Sequence, residues 1–171
     1  MNKLLLTFGV LCLLTCSITV QAAKKAKADL LNAKGAPVGS AVFTERRGGV
    51  ELNLKVSDLT PGLHGFHIHN VGRCQAPDFA SAGPHFNPEH KQHGWDNPMG
   101  HHAGDLQNLE VGPDGKAHVS VLVPGATLGE GPNSLFHEGG TALVIHAKPD
   151  DGKTDPAGNA GARVACGVIM R

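Results

Sequence analysis

Apolar and polar residues alternate along this chain in several short runs. Residues 50–56 (Val-Glu-Leu-Asn-Leu-Lys-Val) alternate without a break, which is typical of a β-strand with one face in a core. The run 40–46 is joined to it through Arg47-Gly48-Gly49, and this turn predicts a hairpin. The predicted strands are residues 28–32, 40–46, 50–56, 64–69, 106–111, 117–123, 141–146 and 164–170.

No segment has the periodicity of a long amphipathic helix, and the chain contains 23 glycines and 11 prolines. This pattern predicts an all-β fold, an eight-stranded antiparallel Greek-key sandwich or barrel. Two segments, about 70 to 104 and 147 to 162, are too long for simple turns. Long ordered loops in a compact β-domain are usually functional, so the site is expected there.

The first 22 residues have the features of a secretory signal peptide. Lys3 gives a positive start, residues 4–14 are apolar, and Val20-Gln21-Ala22 is a small-residue cleavage pattern. The sequence therefore predicts cleavage after Ala22, a single mature domain at 23–171 and export, with the bacterial periplasm as the expected location. Lipoprotein processing at Cys16 stays open as an alternative, although Thr15 stands where a smaller residue is expected.

The charge of the predicted mature chain is close to neutral. Residues 1–22 contain one base, Lys3, and no acid, so 14 basic and 15 acidic residues remain. This balance argues against nucleic acid or an anionic membrane as a stable partner. The expected partner is a small molecule, and a homodimer is favoured over a monomer.

Two cysteines, Cys74 and Cys166, remain after cleavage. In an exported protein such a pair predicts one disulfide. Two buried free thiols are the alternative.

The histidines are the main chemical signal, with 11 of them in 171 residues. His67 and His69 are two residues apart, so a strand places both imidazoles on one face. Taken alone, this pair could equally be exposed on a surface. Together with the other candidates there are six histidines and one aspartate, more than one tetrahedral ion needs and enough for two ions. The candidate ligands are His67, His69, His85, His93, His102, His146 and Asp105.

The donor types divide the candidates into two kinds of site. His93, His102 and Asp105 lie in one loop, and a carboxylate oxygen beside imidazoles suits zinc. A group of histidines on strands suits copper, and His146 ends an apolar strand from which it can reach His67 and His69.

Four segments resemble the copper/zinc superoxide dismutases, in order and over nearly the whole mature chain. They are Gly65–His69, Ser81–Pro88, His102–Leu106 and Gly158–Ile169. The resemblance implies one copper and one zinc ion per chain, and the spacing of residues 69–85 is similar to the exported bacterial branch.

The resemblance also implies a role for each matching residue. His85 would bridge both metals as an imidazolate, and Arg163 would attract and orient the anion beside copper. Asp150 would link a copper-side histidine to a zinc-side histidine, and Cys74 and Cys166 would form the family disulfide. The implied copper ligands are His67, His69, His85 and His146, and the implied zinc ligands are His85, His93, His102 and Asp105.

The implied reaction converts two superoxide anions into oxygen and hydrogen peroxide. In the family scheme copper cycles between two oxidation states, and His85 leaves copper on reduction, takes up a proton and delivers it. Lys148 and Lys153 are candidates for steering the anion along the loop 147–162.

Two other functions are alternatives to superoxide dismutation. A copper-binding or copper-delivery module would use the same fold without dismutase activity, but such proteins tend to lack ligands or the arginine. A zinc hydrolase would need an open zinc position and a general base, and it would leave the strand histidines unexplained.

The remaining histidines are expected outside the metal sites. His64 is predicted to bond to the backbone. His101 is adjacent to His102, but the spacing to Asp105 favours His102 as the ligand. His90, His118 and His137 are predicted to be solvated.

Overall fold

The structure, a computed structural model, describes residues 22–171, so the predicted signal peptide lies outside the described residues except for Ala22. The described part is built from strands and one 3-10 turn at Ala80–Ala82, which confirms the all-β prediction. The strands are β1 Lys25–Asn32, β2 Pro37–Arg46, β3 Gly49–Val56, β4 Gly62–His64, β5 Phe66–His69, β6 Leu109–Val111, β7 Ala117–Pro124, β8 Ala142–His146 and β9 Arg163–Val168.

Seven strands form one curled antiparallel sheet in the order β5-β8-β9-β1-β2-β3-β7, and β4 pairs with β6 in a second sheet. The alternation predicted for residues 50–56 is present in β3, where Val50, Leu52, Leu54 and Val56 are buried. The predicted hairpin is also present, with Arg46 opposite Gly49. Leucine, phenylalanine and valine side chains from both sheets fill the core between them, and this burial is the main source of stability.

Apart from shifts of up to three residues at strand ends, two predicted strands differ in the structure. The predicted strand 64–69 is divided at Gly65, so that β4 and β5 belong to different sheets. A Cβ atom at Gly65 would lie 2.9 Å from the Cβ of Ala160, so the chain passes too close to the second long loop for a larger residue. The predicted strand 106–111 is shorter, because only residues 109–111 pair with β4.

The segments between β5 and β6 and between β8 and β9 are the two long loops. We call residues 70–108 the first loop and residues 147–162 the second loop. The predicted disulfide joins Cys74 in the first loop to Cys166 in β9, with 5.6 Å between the Cα atoms. Backbone hydrogen bonds also join the loops, including one of 3.0 Å from Asp96 N to Gly152 O. In residues 22–171 there is no helix with the length and apolar character needed to cross a membrane.

Candidate metal centre

Strands β5 and β8 lie side by side and place three histidines in the interior. His67 pairs with Val144 in the antiparallel ladder, and His146 ends β8. His67, His69 and His146 are at most 4% exposed. Alternation along β5 puts His67 and His69 on one face, as predicted, with their ring centroids 6.3 Å apart.

Two groups of side chains have ligand atoms close enough together to hold a metal ion. In each group, the available nitrogen and oxygen atoms lie within 4.8 Å of one another. The first metal group is His67, His69, His85 and His146, and the second metal group is His85, His93, His102 and Asp105. These are the same two ligand sets that the family resemblance implies. His67, His93 and Asp150 form a third such cluster, between the first two.

Hydrogen bonds fix which nitrogen of each histidine faces the first metal group. His67 uses Nε2 to bond Asp150 Oδ2 at 2.6 Å, so its Nδ1 is left for the group. His69 and His146 use Nδ1 to bond the carbonyl oxygens of Gly83 and Gly161, at 2.8 and 3.2 Å. Their Nε2 atoms lie 3.4 Å apart, which is close enough for both to bind one cation.

His85 belongs to both groups through opposite nitrogens. Its Nδ1 lies 2.8 Å from Asp105 Oδ1 and 3.4 Å from His102 Nδ1, in the second metal group. Its Nε2 is buried without a hydrogen-bond partner, and its ring centroid lies 4.1 Å from that of His67 with the two rings tilted by 31°. One imidazole therefore lies between the two groups.

Two buried ring nitrogens at the first metal group have no hydrogen-bond partner: His67 Nδ1 and His85 Nε2. A buried polar atom without a partner costs free energy, and native proteins rarely keep several in one place. An ion in the first metal group would satisfy both, and the imidazoles around Asp105 Oδ1 offer donors for a second ion. The residues present therefore fit a pair of bound ions.

Asp105 organises the second metal group with both carboxylate oxygens. Oδ2 accepts hydrogen bonds from the backbone nitrogens of Gly94 and His102, each at 3.0 Å. Oδ1 faces the ring nitrogens of His85, His93 and His102 at 2.8 to 3.1 Å. Burial would raise the pKa of Asp105, but the hydrogen bonds from these partners outweigh burial and hold it well below its usual range.

Asp150 connects the two groups from the second loop. One oxygen is 2.6 Å from His67 Nε2, and the other is 3.1 Å from His93 Nε2. Asn108 fixes its backbone, since Asn108 Oδ1 accepts from Asp150 N at 2.8 Å and Asn108 Nδ2 donates to Asp150 O at 2.9 Å. The sequence analysis did not identify Asn108, because nothing in the spacing distinguishes it from other loop asparagines.

Burial keeps most of these histidines neutral, which leaves a nitrogen lone pair for a metal ion. Desolvation lowers the pKa of His69 to about 2 and the pKa of both His85 and His146 to about 4. For His93, burial also lowers the pKa, but hydrogen bonds to Asp105 and Asp150 outweigh it and raise the pKa to about 9. Without an ion, His93 carries a proton between the two carboxylates.

A cleft of about 500 Å³ opens onto His69, His85, His102 and His146, and Arg163 lies on its wall. Arg163 donates hydrogen bonds to Phe79 O at 2.6 Å and Gly83 O at 2.7 Å. The same Gly83 oxygen accepts from His69 Nδ1. The two donors in use leave three guanidinium N–H groups for an anion in the cleft.

The positive residues near the cleft differ from the expected ones. Neither Lys148 nor Lys153, the predicted steering residues, lines the cleft, whereas Lys91 does. Lys91 forms an exposed ion pair with Glu89 at 2.6 Å. Lys91 lies in the first loop, and no motif in the sequence marks it as a charge near the cleft.

Most of the other histidines lie where the sequence places them. His64 bonds the carbonyl oxygens of His146 and Thr60, at 2.7 and 2.8 Å. His101 stacks on Trp95 outside both metal groups. His90 and His118 are exposed. The prediction of a solvated His137 is wrong: its ring stacks on Phe86 and its Nε2 is buried, because the loop 125–141 folds back over the core.

Comparison with known proteins identifies the family. Residues 38–169 match the family model described as copper/zinc superoxide dismutase (SODC). The chain is 50% identical over 164 residues to superoxide dismutase [Cu-Zn] 1 of Aquifex aeolicus, covering 95% of this chain and 97% of that protein.

Two solved structures are also similar. The SOD-like protein from Bacillus subtilis superposes with a TM-score of 0.82 at 43% identity, covering 84% of this chain and 97% of that one. The Cu/Zn superoxide dismutase from Brucella abortus gives 0.69 at 31% identity, covering 86% and 100%. Fold, paired metal groups and sequence agree, and one copper and one zinc ion per chain follow from them. The chain belongs to the copper/zinc superoxide dismutase family.

Proposed function

We propose that this chain dismutates superoxide with copper in the first metal group and zinc in the second. Copper would be held by His67, His69, His85 and His146, and zinc by His85, His93, His102 and Asp105. The all-histidine group suits a redox-active copper ion, and a carboxylate beside imidazoles suits zinc. When bound, copper supplies the one-electron redox change and zinc a redox-inert positive charge.

The position of His85 carries this proposal. It directs Nδ1 into one metal group and the buried, unpartnered Nε2 into the other. A protein that only carries copper has no need of an imidazole shared with a second ion. Arg163, on the cleft wall beside these histidines, adds a function that a copper carrier does not require.

The overall reaction consumes two superoxide anions and two protons and releases one oxygen and one hydrogen peroxide. The residues of the chain bind the anion and supply protons. Nδ1 of His85 is engaged in the second metal group, so Nε2 is the atom at which His85 can hold and release a proton. This proton reaches the reduced anion inside a buried site, where His85 is 4% exposed.

Arg163 binds and orients the substrate. Its carbonyl partners, Phe79 O and Gly83 O, fix the guanidinium plane. Burial lowers the pKa of Arg163, but an arginine stays protonated at neutral pH. A small anion entering the cleft therefore meets a fixed positive charge with free N–H donors.

The variant His85→Ala tests the proposal. It removes a donor from both metal groups, so both ions should bind more weakly and dismutase activity should fall by more than about 100-fold, beyond the usual effect of a residue outside the ligand set. The matched control is His118→Ala, since His118 is exposed and its side chain bonds only Asn53, at 3.0 Å, within residues 22–171. Metal content and activity are measured on the same samples. Normal loading of both ions in His85→Ala would contradict the assignment.

We also propose that residues 1–22 are an export signal, that residues 23–171 are the mature domain and that this domain functions in the bacterial periplasm. The Cys74–Cys166 disulfide supports an oxidising location. Intact-mass analysis of the protein from a periplasmic fraction tests this. A mass that starts at Ala23 is expected, and a lipid attached to Cys16 would indicate lipoprotein processing instead.

A homodimer is the proposed assembly. Leu63 on β4 and Leu122 on β7 are among the large exposed apolar side chains, at 49% and 48% exposed. Sedimentation equilibrium over a range of protein concentrations tests it, and a monomer mass at every concentration would exclude the dimer.

A further inference from the structure

Asp155 is a carboxylate of the second loop that contacts the first loop. Its Oδ1 accepts a hydrogen bond from the backbone nitrogen of His93 at 2.6 Å. His102 Nε2 is 4.0 Å from the same oxygen, too far for a hydrogen bond. The side chain of Asp155 is 51% exposed, and it lines the cleft that also contains Arg163.

The contact matters because His93 is completely buried, and its backbone nitrogen has no other acceptor among the described residues. The second loop therefore holds His93 at two points. Asp150 bonds the far side of the ring at Nε2, and Asp155 bonds the backbone. Together they orient His93 Nδ1 toward Asp105 Oδ1, 3.0 Å away.

We propose that Asp155 is a positioning residue that orients His93 for zinc binding. The same side chain places a negative charge in the cleft through which the anion would enter. This inference rests on the proposed zinc assignment of His93. Partners of this kind orient a ligand before the ion arrives and typically change metal affinity by about 10- to 100-fold. Because Asp155 binds the backbone of His93 rather than its ring, the effect should persist without any metal.

The test separates the hydrogen bond from the charge. Asp155→Asn keeps an oxygen acceptor and removes the charge, whereas Asp155→Ala removes both. The matched controls are Asp29→Asn and Asp29→Ala, because Asp29 is exposed on β1 and has no side-chain hydrogen bond within residues 22–171. Three quantities are measured: the zinc release rate to a chelator, amide hydrogen exchange of His93 in the metal-free protein, and kcat/KM at several salt concentrations.

Asp155→Ala should release zinc about tenfold faster and expose the His93 amide to exchange in the metal-free protein. Asp155→Asn should keep zinc release near the wild-type rate. It should also raise kcat/KM for superoxide at low salt by less than about tenfold, because only one charge of the electrostatic field changes. This gain should be lost at high salt.

Unchanged amide exchange and zinc release in Asp155→Ala would overturn the proposal. Equal losses in the Asn and Ala variants would also overturn it, because charge and not the hydrogen bond would then be responsible. His93→Ala is measured alongside, and if it keeps its zinc, the ligand assignment fails and not the role of Asp155. The exchange of the His93 amide in the metal-free protein is independent of that assignment.

Discussion

The two metal groups are built in different ways. In the first metal group, three of the four donors lie on β5 and β8, where the strand ladder sets their positions. In the second, all four donors lie in the first loop, where only isolated backbone bridges pair His85 with His69 and Asp105 with His67. Carboxylates supplement these bridges, since Asp105 bonds two backbone nitrogens and Asp155 bonds a third.

This difference predicts different behaviour without metal. Strand hydrogen bonds persist whether or not an ion is bound, so the first metal group should stay preformed. The second metal group gathers three imidazoles around one oxygen of Asp105, and its order depends on charge and protonation. One half of a paired metal site can therefore be positioned by strand pairing, while the other half relies more on carboxylate contacts.

We expect the largest change in stability from removing the disulfide, because it joins the first loop to β9. It closes a separation of 92 residues between Cys74 and Cys166. Replacing both cysteines by serine should lower the free energy of unfolding by about 4–5 kcal/mol in the chain-entropy model. Urea unfolding of the variant and of the reduced wild-type protein measures this. A loss below about 1 kcal/mol would show that the loops are held by noncovalent contacts alone.

Removing one ligand from each metal group tests whether the two groups bind their ions separately. His146→Ala should reduce activity by more than about 100-fold while zinc content stays normal, because the second metal group does not use His146. His102→Ala should lose zinc and keep copper, with a smaller loss of activity. Metal content and dismutase activity are measured for both variants and for the control His118→Ala. Loss of both ions from both variants would mean that the groups are not separate.

Asp150 contacts a histidine of each group, so its loss should affect both. Asp150→Ala should weaken zinc binding by about 10- to 100-fold, since Asp150 holds His93 and sits outside the ligand set. The effect on copper should be smaller, because β5 also fixes His67. Competition titrations with chelators for each ion provide the measurement. A larger effect on copper than on zinc would contradict the idea that strands hold the first group.

Acid should give the most gradual effect. In the metal-free protein, burial lowers the pKa of His85 and His146 from 6.5 to about 4, and of His69 to about 2. Between pH 6.5 and 4 the unfolded chain therefore binds protons that the folded chain does not, so stability falls as pH falls.

His93, with its pKa raised to about 9, has the opposite sign, but it adds slope only near pH 6.5, because at lower pH the unfolded chain is protonated at His93 as well. Chemical denaturation of the metal-free protein at each pH, with His118→Ala as the control, provides the measurement. Constant stability from pH 6.5 to 4 would show that these imidazoles are hydrated.

The sequence predicts the strands well because burial of one face imposes alternation, as Val50, Leu52, Leu54 and Val56 show in β3. It does not predict the division at Gly65, because that follows from the approach of Ala160 from a distant loop. The same reason explains why Asn108 and Asp155 were missed. Their partners, the backbones of Asp150 and His93, are 42 and 62 residues away, and no local pattern records such a contact.

The carbonyl oxygen of Gly83 serves two purposes at once, since it accepts from both His69 and Arg163. Gly83 has φ +72°, and a Cβ there would meet Val71 Cγ2 at 2.9 Å, so the position strongly favours glycine. In evolutionary terms, metal geometry and anion capture are inherited together through one atom. Natural variation at residue 83 would affect both traits in one step, whereas a change at the rim of the cleft, at positions such as Lys91, alters the charge near the substrate without touching this oxygen.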